Sequence, residues 1–272
     1  MKKRILSIVC VISILLVSLS ACGAPKTADS LYDKINKTMN KLESVESDLT
    51  MEIGFYSNGS YVNAEAKGKN ILKPTKDDFY YYNKTTTTVG ATSTSKGVVT
   101  DSIIAYNDGN LFIANLGKLF DQKLYSPLGV KEAQEYFNEN SMDMTVLDKA
   151  SQKSFIKNED ESYVITFNGY SQDSIEYILE SFGFDDFSFD NKLEDMKVTI
   201  KATSEYLVDD MTVDFVFSEQ PKFPRESKFF IKVDYVKYEN VEKITSDIST
   251  DSFKKVDDVR FLDKIEELIK ER

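Results

Sequence analysis

The spacing of apolar residues along the chain changes several times, and each spacing predicts a different element. From residue 28 apolar residues recur at intervals of three and four, at Ala28, Leu31, Tyr32, Ile35, Met39 and Leu42. This spacing predicts one side of an amphipathic helix, with Asp29 or Ser30 near its start as a cap. From Ser47 onward the period becomes two, which predicts a strand with alternate residues on its two faces.

The next segment predicts a hairpin. Its first strand carries alternating apolar residues at Leu49, Met51, Ile53 and Phe55. Asn58-Gly59 follows, a dipeptide typical of tight hairpin turns. The returning strand begins at Tyr61, and its inward positions are small or aliphatic, at Val62, Ala64, Ala66 and Gly68. Small side chains on a sheet face either let a helix pack closely or leave room for a ligand, and both interpretations stay open.

Hairpins and helices alternate along the rest of the chain. Phe79 begins a strand that leads into the Thr- and Ser-rich segment TTTTVGATSTSKGVV, which predicts a long hairpin, and Asn107-Asp108-Gly109 predicts a tight turn. Helical spacing returns after Ser126-Pro127 and again from about Gln172 to Phe182.

The last third is mostly strands. Asp209-Asp210 is interpreted as a turn, and a short closing helix is predicted between Val259 and Ile269. Strand neighbours joined by short turns, with helices between the hairpins, predict an α+β fold: a curved antiparallel sheet with its helices packed on one face.

The N-terminus has the organisation of a secretion signal. Lys2, Lys3 and Arg4 precede an apolar stretch from Ile5 to Leu19, which is short for a membrane-spanning helix. Leu19-Ser20-Ala21-Cys22 then resembles the lipobox of bacterial lipoproteins, in which the cysteine takes a diacylglyceryl group and the signal is removed before it. Cys10 lies within the signal, so Cys22 has no partner for a structural disulfide.

We therefore predict a signal peptide at residues 1–21, a lipidated tether at 22–27 and a single domain at 28–272. Cys22 is the predicted lipid anchor, which places the protein on the extracytoplasmic face of a bacterial membrane. Two acyl chains give a stable anchor, whereas one chain gives only marginal binding. An ordinary secretion signal cut near Ala21 and an uncleaved N-terminal anchor are the alternatives.

Charge narrows the classes of partner. The net charge is −11, and removal of the signal leaves 31 Lys plus Arg against 45 Asp plus Glu, or −14. Such an acidic surface repels nucleic-acid phosphates and anionic lipid head groups. We therefore expect no nucleic-acid partner, and we expect membrane contact through the lipid anchor.

The residue types present argue against an enzyme. The chain has no histidine, the commonest general base near neutral pH and the commonest transition-metal ligand, and an acylated Cys22 leaves no free thiol in the mature chain. No nucleophile-elbow, phosphate-loop or dinucleotide-binding motif occurs. We expect no catalytic residues, no metal site and no cofactor.

One acidic loop carries several aromatic residues. The segment FGFDDFSFDNKLED, residues 182–195, contains five carboxylates but lacks the spacing of a calcium-binding EF-hand. A solvated loop is the favoured interpretation of the carboxylates. Phenylalanines outside the core would form an apolar patch or a lid at a cavity edge, and Phe182 and Phe184 are the candidates.

The chain is similar to a known superfamily. A lipobox, an amphipathic helix, antiparallel strands and the stretch YNDGNLFIANL, where an aromatic strand follows a DG turn, resemble the lipoprotein-carrier (Lol) and mycobacterial-type lipid-binding lipoproteins. The resemblance covers most of residues 28–245. It implies a half-barrel of antiparallel strands curved around helices, whose interior binds acyl chains in many members. The chain lacks the tryptophan often found after the DG turn, carries an inserted Thr/Ser hairpin, and is lipidated, unlike the soluble shuttle of that system.

These observations predict a surface-tethered lipoprotein that binds a lipid or another apolar ligand in a half-barrel cavity. The candidate cavity residues are Leu49, Met51, Ile53, Val62, Ala64, Ala66, Phe182 and Phe184. The alternative is a protein-interaction or envelope-sensing module with a filled core, whose partner is an envelope protein.

Overall fold

In the computed structural model, the described residues are 25–75, 79–90, 97–117, 121–139, 144–181, 192–218 and 227–257. The described helices are α1 Ala28–Met39, α2 Val130–Glu139 and α3 Gln172–Ser181, with a 3-10 helix at Met144–Lys149. The described strands are β1 Val45–Ser57, β2 Ser60–Lys73, β3 Tyr80–Val89, β4 Val98–Asn107, β5 Asn110–Gly117, β6 Asp121–Pro127, β7 Gln152–Lys157, β8 Tyr163–Asn168, β9 Leu193–Ala202, β10 Val208–Phe217, β11 Lys228–Tyr238 and β12 Lys254–Lys255.

All twelve described strands belong to one open sheet. Their order is β12-β6-β5-β4-β3-β2-β1-β11-β10-β9-β8-β7. Neighbouring strands are antiparallel except for the short parallel pairing of β12 with β6. The sheet is therefore built almost entirely from hairpins, with β1 and β11 joining its two halves. The predicted α+β class with an antiparallel sheet is confirmed.

Helix α1 forms where the apolar spacing predicted it, but its cap differs. Thr27 is the cap: its hydroxyl accepts a hydrogen bond from the backbone N–H of Ser30, and the hydroxyl of Ser30 accepts one from the N–H of Thr27. The prediction of Asp29 or Ser30 as the cap was wrong. Thr27 precedes the first helical residue and is the cap, and Ser30, at the third helical position, is the second member of the reciprocal pair. The predicted apolar residues of α1 up to Met39 are buried.

The helices cover one face of the sheet, which we call the inner face. A large apolar cluster joins α1 and α3 to β1 and β8–β11, with Leu31, Ile35, Ile165 and Phe229 almost completely buried. A second cluster joins α2, through Phe137, to strands β3–β6. Both clusters lie on the same face because Ala66 and Leu72, one in each cluster, are an even number of residues apart on β2.

The opposite, outer face is covered in part by residues 241–256, which we call the C-terminal strap. Its Val241, Ile248 and Phe253 are buried against aromatic and aliphatic residues of β2–β5. The hydroxyl of Tyr80 donates to the carbonyl of Ile244 at 2.8 Å and accepts from its N–H at 2.9 Å. The strap ends in β12, so it is held to the sheet at both ends.

Two sequence interpretations are corrected. The turn predicted at Asp209-Asp210 lies earlier, around Tyr206, which has a positive φ of 66°. Asp210 is part of β10, is 5% exposed, and pairs with Lys201 at 2.7 Å. The strand β6 was not predicted: the sequence pattern indicates Ser126-Pro127 only as the segment that precedes a helix, but both residues belong to that strand.

Several predictions lie outside the described residues: the signal and Cys22 within residues 1–24, Phe182 and Phe184, and the closing helix from Val259 to Ile269. The domain limits 22–27 and 28–272 stay predictions. No described helix has the length and apolar character needed to cross a membrane.

Candidate binding site

Antiparallel pairing aligns the inner-face residues in rows across the sheet. In one row Ser47 on β1 is opposite Asn70 on β2, which is opposite Asn83 on β3. The next row runs across β1–β5 through Leu49, Gly68, Thr85, Ser102 and Asn115. We call the polar members of these two rows the polar stripe: Ser47, Asn70, Asn83, Thr85, Ser102 and Asn115.

The polar stripe lies in an uncharged surface. By register, the inner positions of β1–β5 carry no Asp, Glu, Lys or Arg. The two apolar clusters flank the stripe, with Leu49 and Met51 on one side and Leu72 and Tyr81 on the other. The inner face of these strands is therefore apolar at both sides and neutral but hydrogen-bonding between them.

Some polar atoms of the stripe are buried and have no hydrogen-bond partner. Asn83 is 1% exposed: its Oδ1 accepts from the Thr85 hydroxyl at 2.9 Å, but its Nδ2 has no partner. Asn70 is 6% exposed, and its Oδ1 has none. The Oδ1 of Asn115 is also buried without a partner. Buried polar groups in proteins are nearly always paired with protein or ordered water, so these atoms have hydrogen-bonding capacity that no protein group uses.

Next to the stripe the inner face is partly open. One row joins Ala64, Val89 and Val98, and another joins Ala66, Thr87 and Thr100. We call the accessible part of this surface the open patch, formed by Val62, Ala64, Thr87, Val89, Val98 and Thr100. Val89 and Val98 are 46% and 45% exposed, and the other members are half-buried. The open patch connects the polar stripe to solvent.

The structure brings most of the predicted cavity residues together on the inner face. Leu49, Met51, Ile53 and Ala66 are buried in the large cluster beneath α1 and α3, and Val62 and Ala64 pack against that cluster while half-exposed. Phe182 and Phe184 lie outside the described residues, and the cavity itself stays a prediction.

The asparagines of the polar stripe were missed from the sequence. Asn70 continues the inward series Val62, Ala64, Ala66 and Gly68, so the alternation could have found it. Asn83 and Asn115 could not be placed without the register, since they come from separate hairpins.

Gly68 is predicted to be intolerant of any side chain. A Cβ there would lie 2.6 Å from the Thr85 Oγ1 and 3.0 Å from the backbone oxygen of Lys84. We expect Gly68→Ala to lower the free energy of unfolding by about 1–3 kcal/mol, a typical cost of overpacking. Urea unfolding of Gly68→Ala, Thr85→Ala and the double variant measures it. The double variant should be more stable than the sum of the two single effects, and strict additivity would contradict the contact.

Asn70 is predicted to lower the stability of the ligand-free fold. Replacing it with Leu removes a buried acceptor that has no partner, so we expect the free energy of unfolding to rise by about 1 kcal/mol. Thr85→Val is the contrasting variant, because it leaves the Asn83 Oδ1 without its donor and should destabilise by a similar amount. Chemical denaturation compares them, and a destabilised Asn70→Leu would mean that Asn70 has a stabilising contact.

The outer face has a pocket of about 400 Å³ between β2, β3 and the C-terminal strap. Lys84 pairs with Asp247 of the strap at 2.9 Å, and the Tyr82 hydroxyl donates to the same carboxylate at 2.8 Å. The Lys84 ammonium and the Tyr82 hydroxyl hold the pKa of Asp247 below its usual range. Lys69 pairs with Glu46. The contacts of Asp247 attach the strap to the sheet, whereas the Lys69–Glu46 pair joins β2 to β1, and both give this pocket a structural role.

No protein-family model matches the chain, and no curated protein matches it. Among solved structures, the lipoprotein LppX of Mycobacterium tuberculosis is similar at 12% identity over 79% of this chain and 97% of that one, with a TM-score of 0.41. The YwiB protein of Bacillus subtilis is similar at 8% identity over 73% and 96% of the two chains, with a TM-score of 0.18.

A beta-barrel-like protein of a domain of unknown function from Brucella abortus is similar at 8% identity over 72% and 98%, with a TM-score of 0.21. The predicted resemblance is thus found in part, since a mycobacterial lipoprotein is among the similar structures. At these identities and TM-scores the similarity assigns neither a ligand nor an activity to the chain.

Proposed function

We propose that the chain is a membrane-anchored extracytoplasmic lipoprotein that binds a lipid or another apolar ligand on the inner face of its sheet. The observation that supports this function most is the pair of buried, incompletely hydrogen-bonded amides of Asn70 and Asn83, on an uncharged surface beside the open patch. Membrane attachment is through a diacylglyceryl group on Cys22.

The energetic cost of unpaired polar atoms on the inner face supports the proposal that a ligand binds there. A buried polar atom without a partner costs about 1–3 kcal/mol, and several such atoms lie in neighbouring rows of the same strands. A ligand whose polar group pairs with these atoms removes this cost. Its apolar part can contact the aliphatic residues of the open patch, where burial contributes about 25 cal/mol per Å². The fold is therefore stabilised by occupation of this surface.

The proposed activity is binding without catalysis, and it needs no metal or cofactor. The inner face of β1–β5 offers neutral amides and hydroxyls, and none of the carboxylate, lysine or thiol groups that carry acid–base or nucleophilic chemistry. Neutral side chains can orient a ligand by hydrogen bonds without transforming it.

Native mass spectrometry of the mature protein tests the proposal. The protein is purified from bacterial membranes in mild detergent without denaturation, and its mass is compared before and after extraction with organic solvent. We expect an extractable lipid in addition to the covalent modification of Cys22, which survives extraction. A protein that carries only its covalent lipid, and that takes up no added fatty acid or diacylglycerol, would refute ligand binding.

The second candidate function is a protein-interaction module. It is favoured by the close packing of Leu49 and Met51 in the core, where the cavity was predicted, and by the edge strand β7, whose Ile156 is 65% exposed. An exposed strand edge can pair with a strand of another protein. Crosslinking on intact cells from a photoreactive residue at position 156 would capture an envelope protein in this case and none under the leading proposal.

A further inference from the structure

The inner face also has features that select among ligands. We propose, as an extension that rests on the proposed function, that the polar stripe binds an uncharged, hydroxyl-bearing head group of an amphiphile and excludes anionic head groups. Diacylglycerols and neutral glycolipids share this head-group chemistry.

All charged residues of β2 and β3 lie on the outer face of the sheet. Lys67, Lys69 and Lys84 alternate with inner residues and therefore lie on the outer face, where two of them pair with acidic residues. The inner face of β1–β5 has no positive charge to pair with a phosphate or a carboxylate. Burying an ionised group without a counter-charge is costly, so an anionic head group is disfavoured here.

The unpartnered atoms specify hydrogen-bonding chemistry. The Oδ1 atoms of Asn70 and Asn115 are acceptors, whereas the Nδ2 of Asn83 is a donor. A hydroxyl can donate to one of these acceptors and accept from the donor at the same time. An ionised phosphodiester or carboxylate can only accept, so it satisfies Asn83 but leaves both amide oxygens without a donor. The set of atoms therefore matches an uncharged head group with hydroxyls.

The open patch gives the rest of the amphiphile a surface. It begins one row beyond the stripe, where Thr87 and Thr100 add neutral hydroxyls, and continues to the aliphatic row of Ala64, Val89 and Val98. The partial exposure of Val89 and Val98 shows that the surface is accessible to a ligand. Polarity thus decreases along the inner face from Asn70 and Asn83 toward the open side, as in an amphiphile from head to tail.

A pair of lipids with identical tails tests the inference on the full mature chain. Dioleoylglycerol and dioleoyl phosphatidate are added in equal amounts to the protein in detergent micelles at about pH 9, where the phosphate is fully ionised and cannot donate, and bound lipid is counted by native mass spectrometry. We expect at least about tenfold more dioleoylglycerol than phosphatidate in the complex, because one unpaired buried charge costs more than the 1.4 kcal/mol that corresponds to a factor of ten.

Two variants connect the preference to the polar stripe. Asn70→Leu keeps the fold but removes an acceptor, so we expect the preference for dioleoylglycerol to fall severalfold. Thr88→Val is the control, since Thr88 is half-buried like Thr87 but lies on the outer face. The control should bind both lipids as the unchanged protein does.

Each outcome has a definite meaning. A preference for dioleoylglycerol that Asn70→Leu weakens and Thr88→Val preserves supports the inference. Equal binding of both lipids, a preference for phosphatidate, or a preference that Asn70→Leu leaves unchanged overturns the inference and leaves the proposed function standing. Binding of neither lipid by a protein that also carries no co-purified lipid overturns both.

Discussion

Replacing Asn83 with Asp is expected to destabilise the protein by about 3–5 kcal/mol at pH 7, the usual cost of an uncompensated buried charge. The two side chains have nearly the same shape, so the packing of β2, β3 and β4 around this position is retained. Asn83 is 1% exposed, and the inner face of β1–β5 carries no cation that could pair with a carboxylate. The variant therefore measures the polarity of the polar stripe directly.

The same variant has a predictable dependence on pH. Burial raises the pKa of the new carboxyl in the folded protein above its unfolded value of about 3.9. Between these two pKa values the folded state binds more protons than the unfolded state, so stability falls as the pH rises. Most of the lost stability should thus return when the pH is lowered toward 4, where the folded carboxyl is neutral and the unfolded one is about half protonated.

Urea unfolding of Asn83→Asp at pH 7 and pH 4.5, relative to the unchanged protein at each pH, makes this measurement. Asn240→Asp is the matched control, because Asn240 is exposed after β11 and has a positive φ of 51° that Asp tolerates. The control should change stability by less than about 1 kcal/mol at both values. If the two variants behave alike, water reaches Asn83 and the polar stripe is not a buried site.

Local sequence signals were sufficient for much of the fold. The apolar spacing of α1 predicted its buried side because a helix repeats every 3.6 residues whatever lies against it. Asn58-Gly59 and Asp108-Gly109 predicted tight hairpin turns, and all four residues have the positive φ that such turns require. These elements depend on the conformations of a few neighbouring residues, so the sequence alone determines them.

Elements that depend on distant partners were not predicted. The segment DQKLYSP of β6 has few apolar residues and becomes a strand because it pairs with β5 along its length. The C-terminal strap has no periodic pattern, and it is fixed by long-range contacts such as Tyr80 with Ile244 and Phe253 with Phe112. Adjacent acids favoured a turn at Asp209-Asp210, but Lys201 on β9 neutralises Asp210 within the sheet.

The candidate site was predicted only in part, because some of its residues become neighbours only when distant segments of the chain pair. Alternation along one strand identified the inward series from Val62 to Gly68. The polar stripe, by contrast, is a property of rows, in which residues of separate hairpins become neighbours only through the strand register. Nothing in the local sequence around Asn83 or Asn115 distinguishes a buried asparagine from one in a solvated strand.

Alkaline pH is expected to unfold this protein through its tyrosines. Burial raises the pKa of Tyr32 and of Tyr80 to about 12. Burial also raises the pKa values of other tyrosines well above the ordinary value, namely Tyr82, Tyr170, Tyr235 and Tyr238. Several of these side chains lie on the inner face or beneath α1, so their ionisation would place negative charges in the core.

The direction of the change in stability with pH follows from proton linkage. An unfolded tyrosine ionises near pH 10, whereas these folded tyrosines keep their protons to higher pH. Their contribution to stability is therefore complete below pH 10 and is lost as the pH rises through their folded pKa values. Tyr32 alone should account for about 2 kcal/mol by pH 12, from its shift of roughly two pKa units. Together the buried tyrosines should unfold the protein below that pH.

Denaturant unfolding between pH 8 and pH 11.5 checks this expectation, and Tyr238→Phe tests its cause. The Tyr238 hydroxyl is buried without a hydrogen-bond partner, so the Phe variant should be at least as stable at pH 8 and clearly more stable than the unchanged protein at pH 11. Tyr177→Phe is the control, because Tyr177 is 43% exposed and its replacement removes no buried hydroxyl. Equal gains from the two variants at pH 11 would show that general charge repulsion unfolds the protein, since buried ionisation would favour Tyr238→Phe alone.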